Sequence, residues 1–591
     1  MSKDSRLFWI NKAQARIPSL LQPAPASLCH TSDATRRALE DEVEAIGIIY
    51  SLAKRRRNIA NAPIYALPAE VLGHIISFAA AAEPPTRECR RFYKLGWIPL
   101  THVCQRWRQV ALSSPNLWAN IHLAEMHPFW IFEMLRRSMQ TPLDLSVDIS
   151  NPTDEGHIIR GFLLPPVMAR VRTMDVDQGY SRYSRSEEAD RLYLLHHICS
   201  LIPHATQLRS LRMVQDVQDQ EYLPRNIFSS GTPNLRTLTL RDYALDWADI
   251  CLPNLMNLKV DIEPGPQVEP AGYYPTPIQL SDALRRMPLL ERLDLYGLFK
   301  DIVDDLDHDI SDPIELPRLT MLKLTNISSG WIEFAGSFLI PTRARVAIEF
   351  CCSRPTPSLS PIFTKYAGDT RRPRAMRLDP LQNTPYTVDS DSSDYRPSCR
   401  LTVAMESDSA TLLSAPSLSL TVDNRRSKPV ARLMEPSSWG GLCLSELEHL
   451  VVGESESDVW TKARWFALFG RARSVASVVT HGKWAALSLI KALTPDMDGD
   501  EADVVLFPKL LRLQLAVVPE LDDRLPWTPG QFTHDALVRC AQARLRRGVP
   551  LKHVCIPRQY EQEKWVNRLR RSVRKVGFHH AVSWDTFVSV I

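Results

Sequence analysis

Apolar residues between Asp33 and Arg57 recur at steps of three and four. Leu39, Val43, Ile46, Tyr50 and Ala53 fall on one side of a helix. Glu40, Asp41, Glu42 and Glu44 come early and Lys54, Arg55, Arg56 and Arg57 come last, an order that suits the helix dipole. The spacing predicts an amphipathic helix over 33–60, after a loosely ordered stretch over 1–32. The basic run can also be read as a nuclear-import signal. The helix can also serve self-association, although its stripe spans only about two heptads.

A denser apolar cluster runs from Leu67 to Ile121. Pro68 suits a first helical position, where a missing N–H costs nothing. Val71, Leu72, Ile75 and Ile76 then share one face. A polar insert with prolines covers 81–96. A second helix is expected after Pro99, with Leu100, Val103, Cys104, Trp107, Val110 and Ala111 on its stripe. A third starts at Pro115 with Ser114 as its cap, and puts Leu117, Trp118 and Ile121 inward. Helices this short cannot enclose so many large side chains, so some must be buried against another part of the chain or another protein.

The period then changes to two. Residues 128–149 read as a helix ending near Ser138 and a strand with Leu143, Leu145, Val147 and Ile149 alternating. From about residue 170 one phrase recurs, (Pro)-x-Leu-x-x-Leu-x-Leu. It stands at 206–213, 233–240, 253–260, 288–295 and 317–324, with weaker copies at 170–176, 445–452, 473–479, 508–515 and 550–556. The first leucines of the clear copies, Leu208, Leu235, Leu255, Leu290 and Leu319, lie 27, 20, 35 and 29 residues apart. This brackets the roughly 20–29-residue period of leucine-rich repeats, with insertions. One repeat cannot bury its leucines alone, so stacked neighbours would form a parallel sheet lining a concave face. An unrelated α/β domain with ordinary buried strands is the alternative. Residues pointing to the concave face would be Thr239, Arg241, Lys259, Asp261, Asp294, Tyr296, Lys323, Thr325 and Gln514. Arg241, Lys259, Asp294, Tyr296 and Lys323 form the candidate target-binding surface. Their mixed charges equally suit a solvated polar face.

The array divides into a first part, 128–352, and a second part, 399–591. Between them, 353–398 is rich in Ser, Pro, Thr and Asp, the composition of a loop or disordered insert. Strands are expected at 399–405 and 418–423. A basic amphipathic helix over 559–576, with Trp565, Leu569, Val573 and Val576 on one side, would cap the array. A membrane or nucleic-acid role for it is the alternative.

Composition narrows the class. Hydrophobic residues make up 44% of the 591 and charged ones 23%, which fits a folded soluble chain. A net charge of +4 gives no general signal for nucleic acid or membrane. No apolar run reaches the length of a membrane span, and the first thirty residues lack a signal-peptide core. Eleven scattered cysteines suggest reduced thiols in the cytosol or nucleus.

The pattern Leu67-Pro68-x-Glu70-Val71-Leu72-x-x-Ile75, then Val103-Cys104-x-x-Trp107-x-x-Val110-Ala111, then Ser114-Pro115-x-Leu117-Trp118 resembles an F-box. The likeness covers residues 64–122, with an insert at 81–96 longer than the usual connection. The helix–proline–strand segment after it is similar to larger F-box proteins of mushroom-type fungi. The fold implied is α/β: a three-helix F-box, then an irregular leucine-rich-repeat solenoid with a parallel sheet. The resemblance implies binding of a Skp-type adaptor, and through it a cullin–RING ubiquitin ligase. It gives Leu67, Pro68, Val71, Leu72, Ile75, Val103, Trp107 and Leu117 to the adaptor surface or its support. Several of these can equally be core.

No phosphate-binding glycine loop, G-x-S-x-G elbow or H-E-x-x-H motif occurs. Neither the adjacent pairs Cys351-Cys352, His196-His197 and His579-His580 nor His102 with Cys104 have metal-ligand spacing. A non-catalytic chain without metal or cofactor is expected. It would be a substrate-recognition subunit, or alternatively an adaptor-binding scaffold unconnected with ubiquitylation.

Overall fold

The computed structural model describes residues 3–16, 33–61, 63–89, 92–123, 125–150, 152–178, 185–215, 221–224, 227–228, 232–248, 250–263, 274–299, 312–328, 331–341, 343–352, 360–367, 373–381, 398–405, 418–424, 442–453, 460–481, 483–495, 505–515 and 530–579. The chain divides into two compact units, Met1–Leu117 and Trp118–Ile591.

The first unit is helical. Lys3–Arg16 forms a helix, which corrects the expectation of loose order there; residues 17–32 lie outside the described residues. The helix Asp33–Asn61 follows. Then come a 3-10 turn at Pro63–Ala66 and the helix Ala69–Ala82. The segment expected to be a plain polar insert carries an antiparallel hairpin, Thr86–Cys89 against Phe92–Lys94. A 3-10 turn at Ile98–His102 and the helix Gln105–Leu112 complete the cluster.

The second unit is built on one sheet. Its strands in chain order are β1 (Asn120–His122), β2 (Leu143–Asp148), β3 (Val171–Asp177), β4 (Ser210–Val214), β5 (Thr237–Arg241), β6 (Asn257–Asp261), β7 (Arg292–Tyr296), β8 (Met321–Ile327), β9 (Arg345–Cys352), β10 (Pro373–Leu381), β11 (Ser398–Met405), β12 (Leu418–Asn424), β13 (His449–Val452), β14 (Ser477–Thr480), β15 (Arg512–Leu515), β16 (His553–Pro557) and β17 (Lys575–His579). From β1 to β9 each strand pairs in parallel with the next. The same holds from β13 to β17. Between these runs the order reverses. β12 pairs with β9, β11 with β12, β10 with β11, and β13 with β10. β11 is antiparallel to both neighbours, so the sheet is not wholly parallel as expected. Among the described residues β1 pairs only with β2 and β17 only with β16, so these pairings form an open ladder rather than a ring.

Each of the ten recurrent phrases supplies one strand of this sheet. The register explains the phrase. Leu211, Leu238, Leu258, Leu293, Leu322 and Val346 stand opposite one another in a single row. Met213, Leu240, Val260, Leu295, Leu324 and Ile348 form a second row two residues on. Every member of both rows is buried. A leucine fully removed from water contributes roughly 1.5–3 kcal/mol, so each row is a continuous apolar seam.

The proline has a different task. The N–H groups of Leu235, Leu255, Leu319 and Leu510 donate to the carbonyls of Thr232, Leu252, Leu316 and Phe507, at 3.0–3.1 Å. Each bond closes a four-residue turn with Pro233, Pro253, Pro317 or Pro508 in its second position, where a fixed φ near −65° fits. Asn234 and Asn254 then donate from their side chains to the carbonyls of Thr206 and Pro233, joining one copy to the copy before it.

Three expectations change here. Ile121 lies in β1, not in a third helix. Within 353–398, read as a loop or disordered insert, the structure has a helix at Ser360–Ala367 and β10; 353–359, 368–372 and 382–397 lie outside the described residues. The expected capping helix over 559–576 is a short helix at Lys564–Arg570 followed by β17, the last strand of the ladder. Trp565 and Leu569 are buried by that helix, whereas Val576 belongs to the strand.

Candidate functional site

The helix Ala69–Ala82 begins one residue later than its proline suggests. Pro68 stands at the N-cap with extended ψ, and its carbonyl accepts from Leu72 N at 3.1 Å. The four apolar residues expected on one face divide into two pairs. Leu72 and Ile76 are buried, at 1% and 0% exposure, and Val71 and Ile75 face outward at 40% and 37%. Phe78 extends that outward row. It lies seven residues after Val71 and three after Ile75, on the same side of the helix, and is 77% exposed. The earlier residues signal it through that spacing, but it is absent from the expected set.

The inward side meets the helix Gln105–Leu112. A Cβ added at Gly73 would sit 3.8 Å from Val110 Cγ1, a contact distance that brings the two helices together. Trp107, Val110 and Ala111 are buried, as are Trp97 and Ile98. Trp97 is placed by the turn before it. Its N–H donates to Glu83 O at 2.9 Å, and Gly96 takes φ of +54° to allow this.

Arg106 ties the cluster to the start of the first helix. Its guanidinium donates to the main-chain carbonyls of Tyr65 and Leu67 and lies 5.8 Å from the Tyr65 ring centroid. Beside it, Cys104 occupies the N-cap of Gln105–Leu112. Burial works against its thiolate, but hydrogen bonds from the Tyr65 hydroxyl and the N–H groups of Trp107 and Arg106 outweigh it and hold the thiol below its ordinary value. Ser114 does not cap a helix. Its hydroxyl donates to Val110 O at 2.7 Å, and a 3-10 turn at Pro115–Trp118 follows.

Of the eight residues singled out by sequence, Pro68, Val71, Ile75 and Val103 are exposed and Leu67 is half-buried. Leu72, Trp107 and Leu117 are buried in the structure. They lie under the surface, which fits the supporting place, one of the two that the resemblance allowed them. Residues 64–124 match the F-box-like family model. The segment is an F-box-like domain. The match covers about a tenth of the chain. No curated protein matches the chain significantly. F-box domains typically bind Skp-type adaptors.

The second candidate surface lies on the polar face of the sheet. Asp175, Arg212, Thr239, Lys259, Asp294 and Lys323 are register neighbours across β3 to β8. Several pair across adjacent strands: Arg212 with Asp175 at 2.6 Å, and Lys323 with Asp294 at 3.5 Å. Arg241 donates to Glu263 at 3.1 Å. Tyr296 and Gln514 are half-buried, and Thr325, the register partner of Tyr296, is buried. A groove of about 570 Å³ runs over β5–β8 between Thr237, Thr239, Lys259, Arg292, Asp294 and Met321. The structure thus brings Lys259 and Asp294 to one groove, with Arg241 and Lys323 engaged in ion pairs on the same face. Just after β5, Asp242 has φ of +59°, is buried, and accepts from Glu263 N at 2.7 Å. Burial raises its carboxyl to about 7.

Proposed function

We propose that the protein is a substrate-recognition subunit of a Skp–cullin–F-box ubiquitin ligase. The F-box-like domain would dock on the Skp-type adaptor, and the sheet would hold a target protein. The observation that carries the reading is the outward row Val71, Ile75 and Phe78, exposed above a core already closed by Leu72, Ile76, Trp107 and Val110. A helix that has satisfied its core and still presents three large apolar side chains is suited to an apolar partner.

The leucine rows, the proline turns and the sequential parallel ladder support a leucine-rich-repeat-like array in two parts. Its polar face, with Arg241, Lys259, Asp294, Tyr296 and Lys323, is the surface for the target. The chain would do no bond chemistry. Acting in the cytosol or nucleus, it would raise the concentration of its target beside the ligase's ubiquitin carrier. The test is co-purification of the full chain with a Skp-type adaptor and cullin. Wild type should recover both, and a Val71→Asp/Ile75→Asp variant neither. Equal adaptor recovery would reject the docking row. Adaptor without cullin would favour the scaffold reading.

A further inference from the structure

The helix Asp33–Asn61 is about 43 Å long at 1.5 Å per residue. Its apolar side is open: Val43 is 70% exposed and Tyr50 60%, with Leu39, Ile46 and Ile49 also exposed. A Cβ added at Gly47 meets nothing within 4 Å. The charge order along the same helix says what fits there.

In a seven-residue frame Leu39, Ile46 and Ala53 take position d, and Val43, Tyr50 and Arg57 position a. Glu40, Gly47 and Lys54 then fall at e, and Glu42, Ile49 and Arg56 at g. A second copy laid antiparallel, with its two-fold axis at Ile48, sets Val43 against Ala53 and Ile46 against Tyr50. Leu39 meets Arg57, whose aliphatic stem can lie along the seam. In that register Glu40 faces Lys54 and Glu42 faces Arg56, each twice by symmetry. A parallel copy would instead set Glu42 beside Gly47 and Ile49 beside Lys54, with no opposite-charge pair along the seam.

We propose that Asp33–Asn61 is an antiparallel coiled-coil dimerisation element that pairs two copies of this chain. Its occupant is therefore a second identical helix. The seam covers just under three heptads, so the association is reversible. Arg16 already pairs with Glu42 at 2.7 Å, and its side chain is 75% exposed. Such a surface pair is weak, so Arg56 of a second copy can share the carboxylate.

The test is sedimentation of the full chain over a range of concentrations, with circular dichroism to confirm unchanged helix content. Wild type should shift from one chain to two as concentration rises. Glu40→Lys/Glu42→Lys should weaken self-association about tenfold, the sum of four small pairs lost. Adding Lys54→Glu/Arg56→Glu to that variant should restore it, because all four contacts become opposite in sign again. Val43→Asp should abolish the dimer. A single-chain mass at every concentration would overturn the proposal. So would a dimer unaffected by the first variant, or one that the charge swap does not restore.

Discussion

The Arg106 guanidinium donates to the main-chain carbonyl oxygen of Leu67. The helix after the insert thereby holds the residue just before the Pro68 N-cap of the helix Ala69–Ala82. Through Tyr65 O the same side chain grips the preceding turn. A two-carbonyl grip needs the planar fork of arginine. Arg106→Ala should therefore lower stability by about 1.5–3 kcal/mol and weaken adaptor binding, although Arg106 is not in the outward row. Arg106→Lys should recover only part of both. Urea denaturation and adaptor affinity, measured on the same preparations, check this.

Val71 and Leu72 are neighbours with opposite consequences. Leu72→Ala opens a hole under the helix and should cost about 2–5 kcal/mol of stability. Val71→Asp leaves the core intact and should change the melting temperature little while reducing adaptor recovery. Phe78→Ala should resemble Val71→Asp in direction. Melting curves set beside pull-down yields separate the two classes. A large stability loss in Val71→Asp would contradict the assigned orientation.

Gly96 is required by shape. An added Cβ would lie 2.3 Å from Glu83 O and 2.6 Å from the Pro84 carbonyl carbon, at a positive φ that disfavours side chains. Gly96→Ala should displace Trp97 and Ile98 from the core and cost at least about 1–3 kcal/mol. The denaturation midpoint reports it, together with a red shift in tryptophan emission.

Asp242 makes the second unit sensitive to pH. Its carboxyl titrates at about 7 in the fold, against an ordinary value of 3.8. The folded chain therefore holds a proton between those values that the unfolded chain has lost. The stabilisation is complete below the ordinary value, declines as pH rises, and is gone above about 7. Asp242→Asn keeps the acceptor for Glu263 N–H, tolerates the positive φ, and removes the titration. Its melting temperature should vary less than wild type between pH 5 and pH 8 and exceed it at the upper end. Parallel slopes for the two proteins would remove Asp242 as the cause.

Much of the sheet was legible because alternation and turn chemistry agree within each phrase. Leu255 and Leu258 announce both the turn and the strand, and Pro253 marks where the turn stands. Other elements carried weaker signals. β10 lies among Ser, Pro and Asp residues that read as a loop, and its strand state depends on β11 and β13 on either side. β17 follows a basic helical stretch, so Val576 was absorbed into the helix period. In the F-box-like domain a stripe of four apolar residues marked the helix. It could not tell Leu72 from Val71, since residues one apart lie only about 100° around the axis. The neighbouring Val110 decides which of them is covered. Likewise the hairpin inside 81–96 depends on backbone pairing and not on an apolar pattern.

The reversed order of β10, β11 and β12 bears on how the chain comes apart. Released from its C-terminal end, the sheet can lose β17, β16, β15, β14 and β13 one at a time, each from an exposed margin. The next segment of chain is β12, yet the margin then belongs to β10. β12 is still bonded on both flanks, to β9 and to β11. Continued pulling must shear an interior strand out of two ladders at once, so the swapped order acts as a mechanical stop between the two parallel runs.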